Sequence, residues 1–296
     1  MTTLTQAVHA AAARLAAAGV AFGHGTTNAH DEAAWLLLWQ LGLPLDALDE
    51  HAERPVSPAE ATRIDELLAR RIHTRQPAAY LTGEAWLQGV PFTVDERVIV
   101  PRSLIAELLA DADGSGALDV WLSPQTRRVL DLCTGNGSLA VLAAMAWPDV
   151  EVLATDLSAD ALAVAALNVQ RHGLAGRIRL AQGDGWAAIA EPEPFDLVIC
   201  NPPYVNSRSM AALPPEYRAE PAMSLAGGTD GMDFIRPLLA GLKPRLTPDG
   251  VLVLEIGHEL EHFHRAFPRL PIVGLPTSAG DEQVLLIEAA ALRFLL

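Results

Sequence analysis

The sequence predicts an α/β protein in which a mostly parallel seven-stranded sheet follows a small helical region and a β-hairpin. Three observations lead to this prediction. Residues 1–84 carry helical patterns, a two-stranded pattern follows, and from Arg128 short apolar strands alternate with helices. Strands that are apolar throughout are typical of a parallel sheet with helices on both faces. With 296 residues, 50% of them hydrophobic, the chain is long enough for one large and one small domain.

Residues 1–84 form the predicted helical domain. An Ala-rich helix over Val8–Ala18 ends at Gly19, and a second helix begins at Asp31 and ends before Gly42. Residues 57–60 (Ser-Pro-Ala-Glu) have the pattern of a helix N-terminus, with a capping Ser and Pro in the first turn. This domain is too small to be the enzyme and precedes a complete α/β unit, so we predict that it recognises the substrate.

A β-hairpin over residues 85–101 links the helical domain to a second domain, residues 102–296. The hairpin strands are Ala85–Leu87 and Val90–Val94, and the chain turns at Gln88-Gly89. The last two strands of the second domain are close in sequence and could pair as an antiparallel edge. The predicted strands of this domain are Val129–Cys133, Glu151–Thr155, Ile178–Gln182, Phe195–Cys200, Val251–Ile256, Ile272–Leu275 and Val284–Ile287. The predicted helices are Leu104–Ala110, Leu139–Ala146 and Ala159–His172.

The composition narrows the possible partners and location. A formal net charge of −15 opposes binding to a phosphate backbone and favours a basic protein as partner, so we expect no direct DNA binding. No apolar run is long enough to cross a membrane, and the N-terminus lacks the basic region of a signal peptide. Only Cys133 and Cys200 occur, which indicates no disulfide framework. We therefore expect a cytoplasmic protein without a membrane partner.

The most informative stretch is residues 196–204, Asp-Leu-Val-Ile-Cys-Asn-Pro-Pro-Tyr, in which an apolar strand ends in four residues suited to binding a planar nitrogen group. Pro202 and Pro203 fix φ and carry no N–H, so they hold a rigid turn with free carbonyl groups. Asn201 adds a side-chain acceptor, and Tyr204 adds an aromatic face. A Pro-Pro pair alone often only ends a strand. Here the flanking Asn and Tyr favour chemistry on an amide or amino group.

A Gly-rich turn follows the first strand of the predicted sheet, in the sequence from Asp131 to Ala140. Glycines there allow a ligand to approach the backbone, and a helix N-terminus favours a carboxylate. Asp156 ends the second strand 21 residues after Gly135, where a ribose-binding acid is expected in such a fold. Asp184 follows the third strand and could accept from an adenine amino group, with residues 185–186 over the ring. The pattern predicts an adenosine-containing ligand with a carboxylate tail.

Two other ligands, a dinucleotide and zinc, each fit one motif of the chain. Residues 135–140 also fit the dinucleotide pattern G-x-G-x-x-G/A, but a dinucleotide leaves the Asn-Pro-Pro-Tyr tip unexplained, whereas S-adenosylmethionine uses both. Residues 258–262 match the zinc-protease pattern H-E-x-x-H, but no third ligand is evident. We therefore predict S-adenosylmethionine, with S-adenosylhomocysteine as its product, and no metal.

These motifs resemble the HemK-like glutamine methyltransferases, most strongly from Tyr80 to Leu239. The resemblance implies a Rossmann-like class I methyltransferase domain that acts on the side-chain amide of a glutamine in a translation protein. It implies that Asn201, Pro202, Pro203 and Tyr204 hold the glutamine, with Asn201, Pro202 and Tyr204 as the catalytic residues; Arg102 is added to the substrate-binding set. The implied cofactor-binding residues are Asp131, Cys133, Thr134, Gly135, Asn136, Gly137, Asp156, Asp184, Gly185 and Trp186. Gly185 stands where some members carry an aromatic, so whether it or Trp186 covers the adenine is left open.

Two branches of this family differ after the hairpin. Release-factor enzymes usually carry P-R-P-D-T-E there, whereas residues 100–108 of this chain read Val-Pro-Arg-Ser-Leu-Ile-Ala-Glu-Leu. The chain is more similar to the branch that acts on large-subunit ribosomal protein L3, as are residues 213–221 and 228–231. A release-factor methyltransferase, an adenine-N6 DNA methyltransferase and a non-catalytic binding protein remain the alternatives.

Overall fold

The computed structural model describes residues 2–110, 118–189 and 194–295 of the chain. The N-terminal region consists of helices α1 (Leu4–Ala17), α2 (Ala29–Leu41), α3 (Pro58–Thr74) and α4 (Ala78–Thr82). The cap at Ser57 is confirmed, because its side chain accepts from the Glu60 backbone and Pro58 opens the helix. The predicted start of α2 at Asp31 was too late. Asn28 accepts from the Asp31 backbone N–H and so begins the helix at Ala29.

The β-hairpin is present where it was predicted. Strands β1 (Glu84–Leu87) and β2 (Val90–Thr93) pair antiparallel, and the turn residues Gln88 and Gly89 have φ values of 50° and 73°. Two consecutive positive φ values give the tight two-residue turn whose twist matches that of the strands.

The second region is built on one seven-stranded sheet in the order β5-β4-β3-β6-β7-β9-β8. Strands β3 to β7 are parallel, β9 runs antiparallel to β7, and β8 pairs antiparallel with β9, which confirms the predicted edge. The strands are β3 (Arg128–Leu132), β4 (Glu151–Asp156), β5 (Ile178–Gln182), β6 (Phe195–Cys200), β7 (Leu246–Glu255), β8 (Val273–Gly274) and β9 (Val284–Glu288).

Helices cover both faces of this sheet: α5 (Ile105–Leu109), α6 (Ser138–Ala146) and α7 (Ala159–Arg171) on one, and α10 (Ile235–Leu242) and α11 (Leu260–Ala266) on the other. The short helices α8 (Ser207–Ala212) and α9 (Pro215–Arg218) lie between β6 and α10 in the chain. Short 3₁₀-helices span Gly185–Ala188, Ala222–Ser224, Lys243–Arg245 and Ala289–Phe294. The stretch from α8 to α10 carries no element in the sequence-based prediction, because its helices are short and rich in Pro and Gly. Among the described residues, no helix is long and apolar enough to cross a membrane.

The hydrophobic core lies in two layers on the two sides of the sheet. Along β6, Leu197 and Ile199 belong to the layer that contains α6, and Val198 and Cys200 belong to the layer that contains α10. This alternation follows from the period of two in a strand. The helical N-terminal region has a core of its own, which includes Ala161 and Val164 of α7. The N-terminal region therefore packs on the same helix that follows β4.

Candidate active site

The carboxyl ends of the parallel strands meet at one edge of the sheet, and a cleft opens there. This first cleft contains about 650 Å³ of empty space, part of it open to solvent. Of the residues singled out in the sequence, it is lined by Cys133, Gly135, Asp156, Asp184, Gly185, Asn201 and Pro203. The structure thus brings together residues that follow four different strands.

The loop after β3 bends sharply under the first cleft. Cys133, Gly135 and Gly137 all have positive φ, and Cys133 adopts this conformation although it carries a side chain. A Cβ on Gly137 would lie 3.1 Å from the Cβ of Ala165, so the loop packs directly on α7. Cys133 and Gly135 therefore remain at the cleft surface.

Asp131, Thr134 and Asn136 are buried and do not line the first cleft. The Asp131 carboxylate is fully buried; Oδ2 accepts from Thr134 Oγ1 at 2.5 Å and from Ala140 N at 3.1 Å. Burial raises the pKa of this carboxyl group to about 7. Asn136 accepts from Ser138 N through Oδ1. These three residues hold the loop, and their direct contact with a cofactor stays a prediction.

Asp156 joins the loop to the end of β4. Its Oδ2 accepts from Gly135 N at 2.9 Å and its Oδ1 accepts from Ser158 N at 2.9 Å. Partial burial raises the pKa of Asp156 despite these hydrogen bonds. The carboxylate lines the first cleft and is placed to accept from a ligand hydroxyl group.

The third strand contributes Asp184 and Gly185 to the cleft, but Trp186 turns away. The Trp186 indole donates to Leu238 O at 3.0 Å, and Arg245 lies over its ring at 4.7 Å. The aromatic ring that lines the cleft beside Gly185 belongs to Phe234, which lies ahead of α10 and was not predicted from the sequence.

A second cleft, with about 970 Å³ of empty space, opens on the other side of Asn201. Ile99, Asn201 and Ser224 line both clefts, so the two spaces meet at these residues. Among the predicted substrate-binding residues, Arg102, Asn201, Pro202 and Tyr204 line the second cleft, whereas Pro203 faces the first.

Tyr204 is fixed by a buried carboxylate at the end of β7. Its hydroxyl group donates to Glu255 Oε1 at 3.0 Å. Burial and the neighbouring Glu255 raise the pKa of Tyr204 well above its usual value, so the hydroxyl group stays protonated. Glu255 is 4% exposed, and burial raises its pKa as well.

Arg102 reaches the second cleft in a fixed orientation. Its two terminal nitrogens donate to Glu220 Oε1 and Oε2 at 2.6 and 2.7 Å, and its guanidinium lies 5.3 Å from the centre of the Tyr217 ring. His24 of the N-terminal region lies 3.5 Å from the same carboxylate. Burial raises the pKa of Glu220, but His24 and Arg102 outweigh this effect and lower it to about 2.

Four residues of this site were missed in the sequence: Phe234, Glu220, Glu255 and Asn168. The Asn168 amide donates to Thr93 O and Asn136 O and accepts from Thr93 N, so α7 ties the hairpin to the loop after β3. A carboxylate at the end of an otherwise apolar strand was the available signal for Glu255. The other three carry no local signal.

The H-E-x-x-H segment is engaged in other contacts. Glu259 accepts from Asn206 Nδ2 at 2.6 Å and lies 2.5 Å from His262 Nδ1. In the described part of the chain, no group of three or more His, Cys, Asp or Glu side chains is arranged to hold a metal ion.

Comparison with known proteins shows which families and relatives this chain is similar to. Residues 111–213 match the family described as "Methyltransferase small domain", and residues 6–83 match "PrmC N-terminal domain". A relative from Bordetella pertussis, named ribosomal protein uL3 glutamine methyltransferase, is 52% identical, covering 96% of this chain and 94% of the relative. Relatives with the same name from Burkholderia pseudomallei and Bradyrhizobium diazoefficiens are 49% and 45% identical, covering 98% and 99% of this chain and 95% and 92% of themselves.

Proposed function

The chain belongs to the family of ribosomal protein uL3 glutamine methyltransferases, and we propose on that basis that it methylates the side-chain amide nitrogen of a glutamine in ribosomal protein uL3. S-adenosylmethionine is the methyl donor, and S-adenosylhomocysteine and N5-methylglutamine are the products. The observation that carries this proposal is the meeting of the two clefts at Asn201.

The first cleft fits the donor. No atom outside the immediate chain neighbours lies within 4 Å of a Cβ built on Gly135, so a ligand can approach the backbone there. Asp156 offers a carboxylate to ribose hydroxyl groups, Asp184 offers one to the adenine amino group, and Phe234 offers an apolar ring. When bound, S-adenosylmethionine supplies an electrophilic methyl group.

The second cleft fits a carboxamide side chain. The lone pair of an amide nitrogen is delocalised into the carbonyl group, so the site must orient the nitrogen. In our proposal the Asn201 side-chain oxygen and the Pro202 carbonyl accept the two N–H bonds and turn the lone pair toward the first cleft. Orientation of this kind accounts for about 7–11 kcal/mol of a barrier in favourable cases. In the transfer the nitrogen would gain the methyl group as the bond from that group to the donor sulfur breaks, and it would release one proton to water, which leaves the amide neutral.

The remaining surface supports a protein substrate rather than DNA. A net charge of −15 favours a basic partner. We propose that residues 1–84 form the substrate-recognition domain and that residues 85–101 link it to the methyltransferase domain. We also propose that His24 connects the recognition domain to the second cleft. This residue belongs to the N-terminal region, yet it borders the carboxylate that holds Arg102 in the second cleft.

The test is transfer of a labelled methyl group. Purified protein is incubated with labelled S-adenosylmethionine and, separately, isolated uL3, a peptide-chain release factor or duplex DNA, and the modified residue is mapped by mass spectrometry. We expect one labelled glutamine in uL3. Transfer to the release factor or DNA instead of uL3 would replace the proposal by one of its alternatives.

A further inference from the structure

Glu255 is a buried carboxylate that takes no part in the chemistry described above, although it lines the second cleft. It is the last residue of β7, and in the sheet its neighbour Leu254 pairs with Cys200, the residue before Asn201. The carboxylate is therefore placed beside the first residue of the Asn-Pro-Pro-Tyr tip.

Three hydrogen-bond donors converge on this carboxylate from two separate parts of the chain. Tyr204 donates to Oε1 from the tip. Ser103 Oγ, at 2.5 Å, and Leu104 N, at 3.0 Å, donate to Oε2 from the segment before α5. Both segments are walls of the second cleft, since Arg102, Leu104 and Tyr204 all line it. One side chain thus holds the two walls at a fixed separation.

The ring and the backbone of Tyr204 both pack closely on neighbouring glycines. A Cβ on Gly257 would lie 2.6 Å from Tyr204 Cε2, and Cβ atoms on Gly231 and Gly227 would lie 2.4 and 2.7 Å from the Tyr204 backbone. Such distances mean that the tyrosine packs directly on the backbone of three glycines. The Tyr204 ring is thus packed closely on Gly257, and its hydroxyl group is held by Glu255.

The chemistry of the contact calls for a carboxylate. A glutamine at position 255 would offer one oxygen and one NH2 group, so either the Tyr204 hydroxyl group or both Ser103 Oγ and Leu104 N would face a donor. A hydroxyl group could then only accept, and the Leu104 N–H would have no acceptor, which is costly for a buried group. All three groups can donate at once only when both oxygens at position 255 are acceptors.

We propose that Glu255 is a positioning residue that fixes Tyr204 against the Ser103–Leu104 segment and so sets the width of the cleft in which the substrate carboxamide meets Asn201. The proposal rests on the proposed function. It assigns Glu255 an effect on the protein substrate and none on the binding of S-adenosylmethionine, because Glu255 does not line the first cleft.

The experiment compares Glu255→Gln, Tyr204→Phe and the double variant, with Asp196→Ala as the control. Asp196 also accepts from backbone N–H groups, those of Arg127 and Arg128, but it lies at the start of β6, at the edge of the sheet opposite the clefts. For each protein we would measure kcat and KM with uL3, the Kd of S-adenosylmethionine by calorimetry, and Tm.

For Glu255→Gln we expect kcat/KM with uL3 to fall about 10- to 100-fold, with the Kd of S-adenosylmethionine within about twofold of wild type. The double variant should be no worse than Glu255→Gln, because both changes break the same contact. Asp196→Ala should lower Tm and leave kcat/KM nearly unchanged, because Asp196 lines neither cleft.

Two results would overturn the inference. One is an equal loss of S-adenosylmethionine affinity and methyl transfer, which indicates general disruption; the other is a double variant whose loss is the product of the two single losses. If Glu255→Gln does not fold, Ser103→Ala and Tyr204→Phe each remove one donor to Glu255, and each should lower kcat/KM with uL3 while the Kd of S-adenosylmethionine stays the same. A wild-type protein that labels no uL3 removes the proposed function and the inference with it.

Discussion

The two clefts are held together in different ways. In the first cleft, the hydrogen bonds join residues that are close in the sequence. Asp131 binds Thr134, three residues away, and Asp156 binds Gly135, 21 residues away. In the second, Ser103 and Glu255 lie 152 residues apart, and Arg102 and Glu220 lie 118 apart. The first cleft is thus formed by turns, and the second by buried carboxylates that join distant segments.

This difference predicts that changes to the two clefts have separable effects. The largest effect should come from Glu220→Ala, which leaves Arg102 and His24 without their shared carboxylate. We expect the free energy of unfolding to fall by about 3–5 kcal/mol, measured by urea denaturation. Asp95→Ala, which breaks an exposed pair with Arg97, should cost about 0.2–1 kcal/mol.

The part of the Glu220→Ala protein that remains folded tests whether the two clefts are independent. It should bind S-adenosylmethionine as wild type does but transfer the methyl group poorly to uL3. Loss of cofactor binding by the folded protein would show that the two clefts are not separable.

The next effect concerns Asn201, where the two clefts meet. Asn201→Ala removes one of the two proposed acceptors for the amide N–H bonds, so kcat should fall about 100-fold or more, or roughly 3 kcal/mol, with the cofactor Kd nearly unchanged. Gln170→Ala removes an exposed carboxamide on α7 and serves as control. Full turnover by Asn201→Ala would withdraw its role.

A third effect depends on pH and concerns Asp131, beneath the first cleft. Its pKa is raised from 3.8 to about 7 in the folded protein, so folding favours the protonated form. The stability contributed by this group is therefore complete below about pH 3.8 and is lost as pH rises through about 7. Relative to Asp131→Asn, wild type should lose about 3 kcal/mol of unfolding free energy between pH 5 and pH 8. A difference that does not change with pH would contradict this.

The smallest effect should be specific to the donor. Asp156→Ala removes the acceptor of Gly135 N and the carboxylate proposed for the ribose, so the Kd of S-adenosylmethionine should rise about tenfold, or 1.4 kcal/mol. The KM for uL3 should stay the same. Asp160→Ala, at an exposed position on α7, is the matched control. An equal rise in the KM for uL3 would break the distinction between the clefts.

The same contrast explains what could be predicted from the sequence. The strands and the hairpin turn rest on local patterns and are confirmed, and the loop at residues 133–137 and the Asn-Pro-Pro-Tyr tip follow β3 and β6. The prediction left open whether Gly185 or Trp186 covers the adenine. Trp186 packs closely on Gly241 and does not line the first cleft, where Gly185 and Phe234 lie.

The unpredicted residues all make their contacts at long range. Glu216 accepts from Ala21 N across 195 residues, and Glu220 accepts from Val100 N across 120. A buried glutamate looks like an exposed one in a sequence until its partners are known. Glu216 lies in the four-residue helix α9 and Glu220 in the turn that follows it, so neither belongs to a helix long enough to have a recognisable period.

Asn168 has a consequence for how the chain can be divided. Its amide satisfies both backbone groups of Thr93 in the hairpin and the carbonyl of Asn136 in the loop after β3. Cutting the chain ahead of residue 102 would remove two of these three bonds from a fully buried side chain. We therefore expect residues 102–296 alone to be less stable than a chain that keeps the hairpin, and an exchange of residues 1–84 between relatives should work best when the hairpin stays with Asn168.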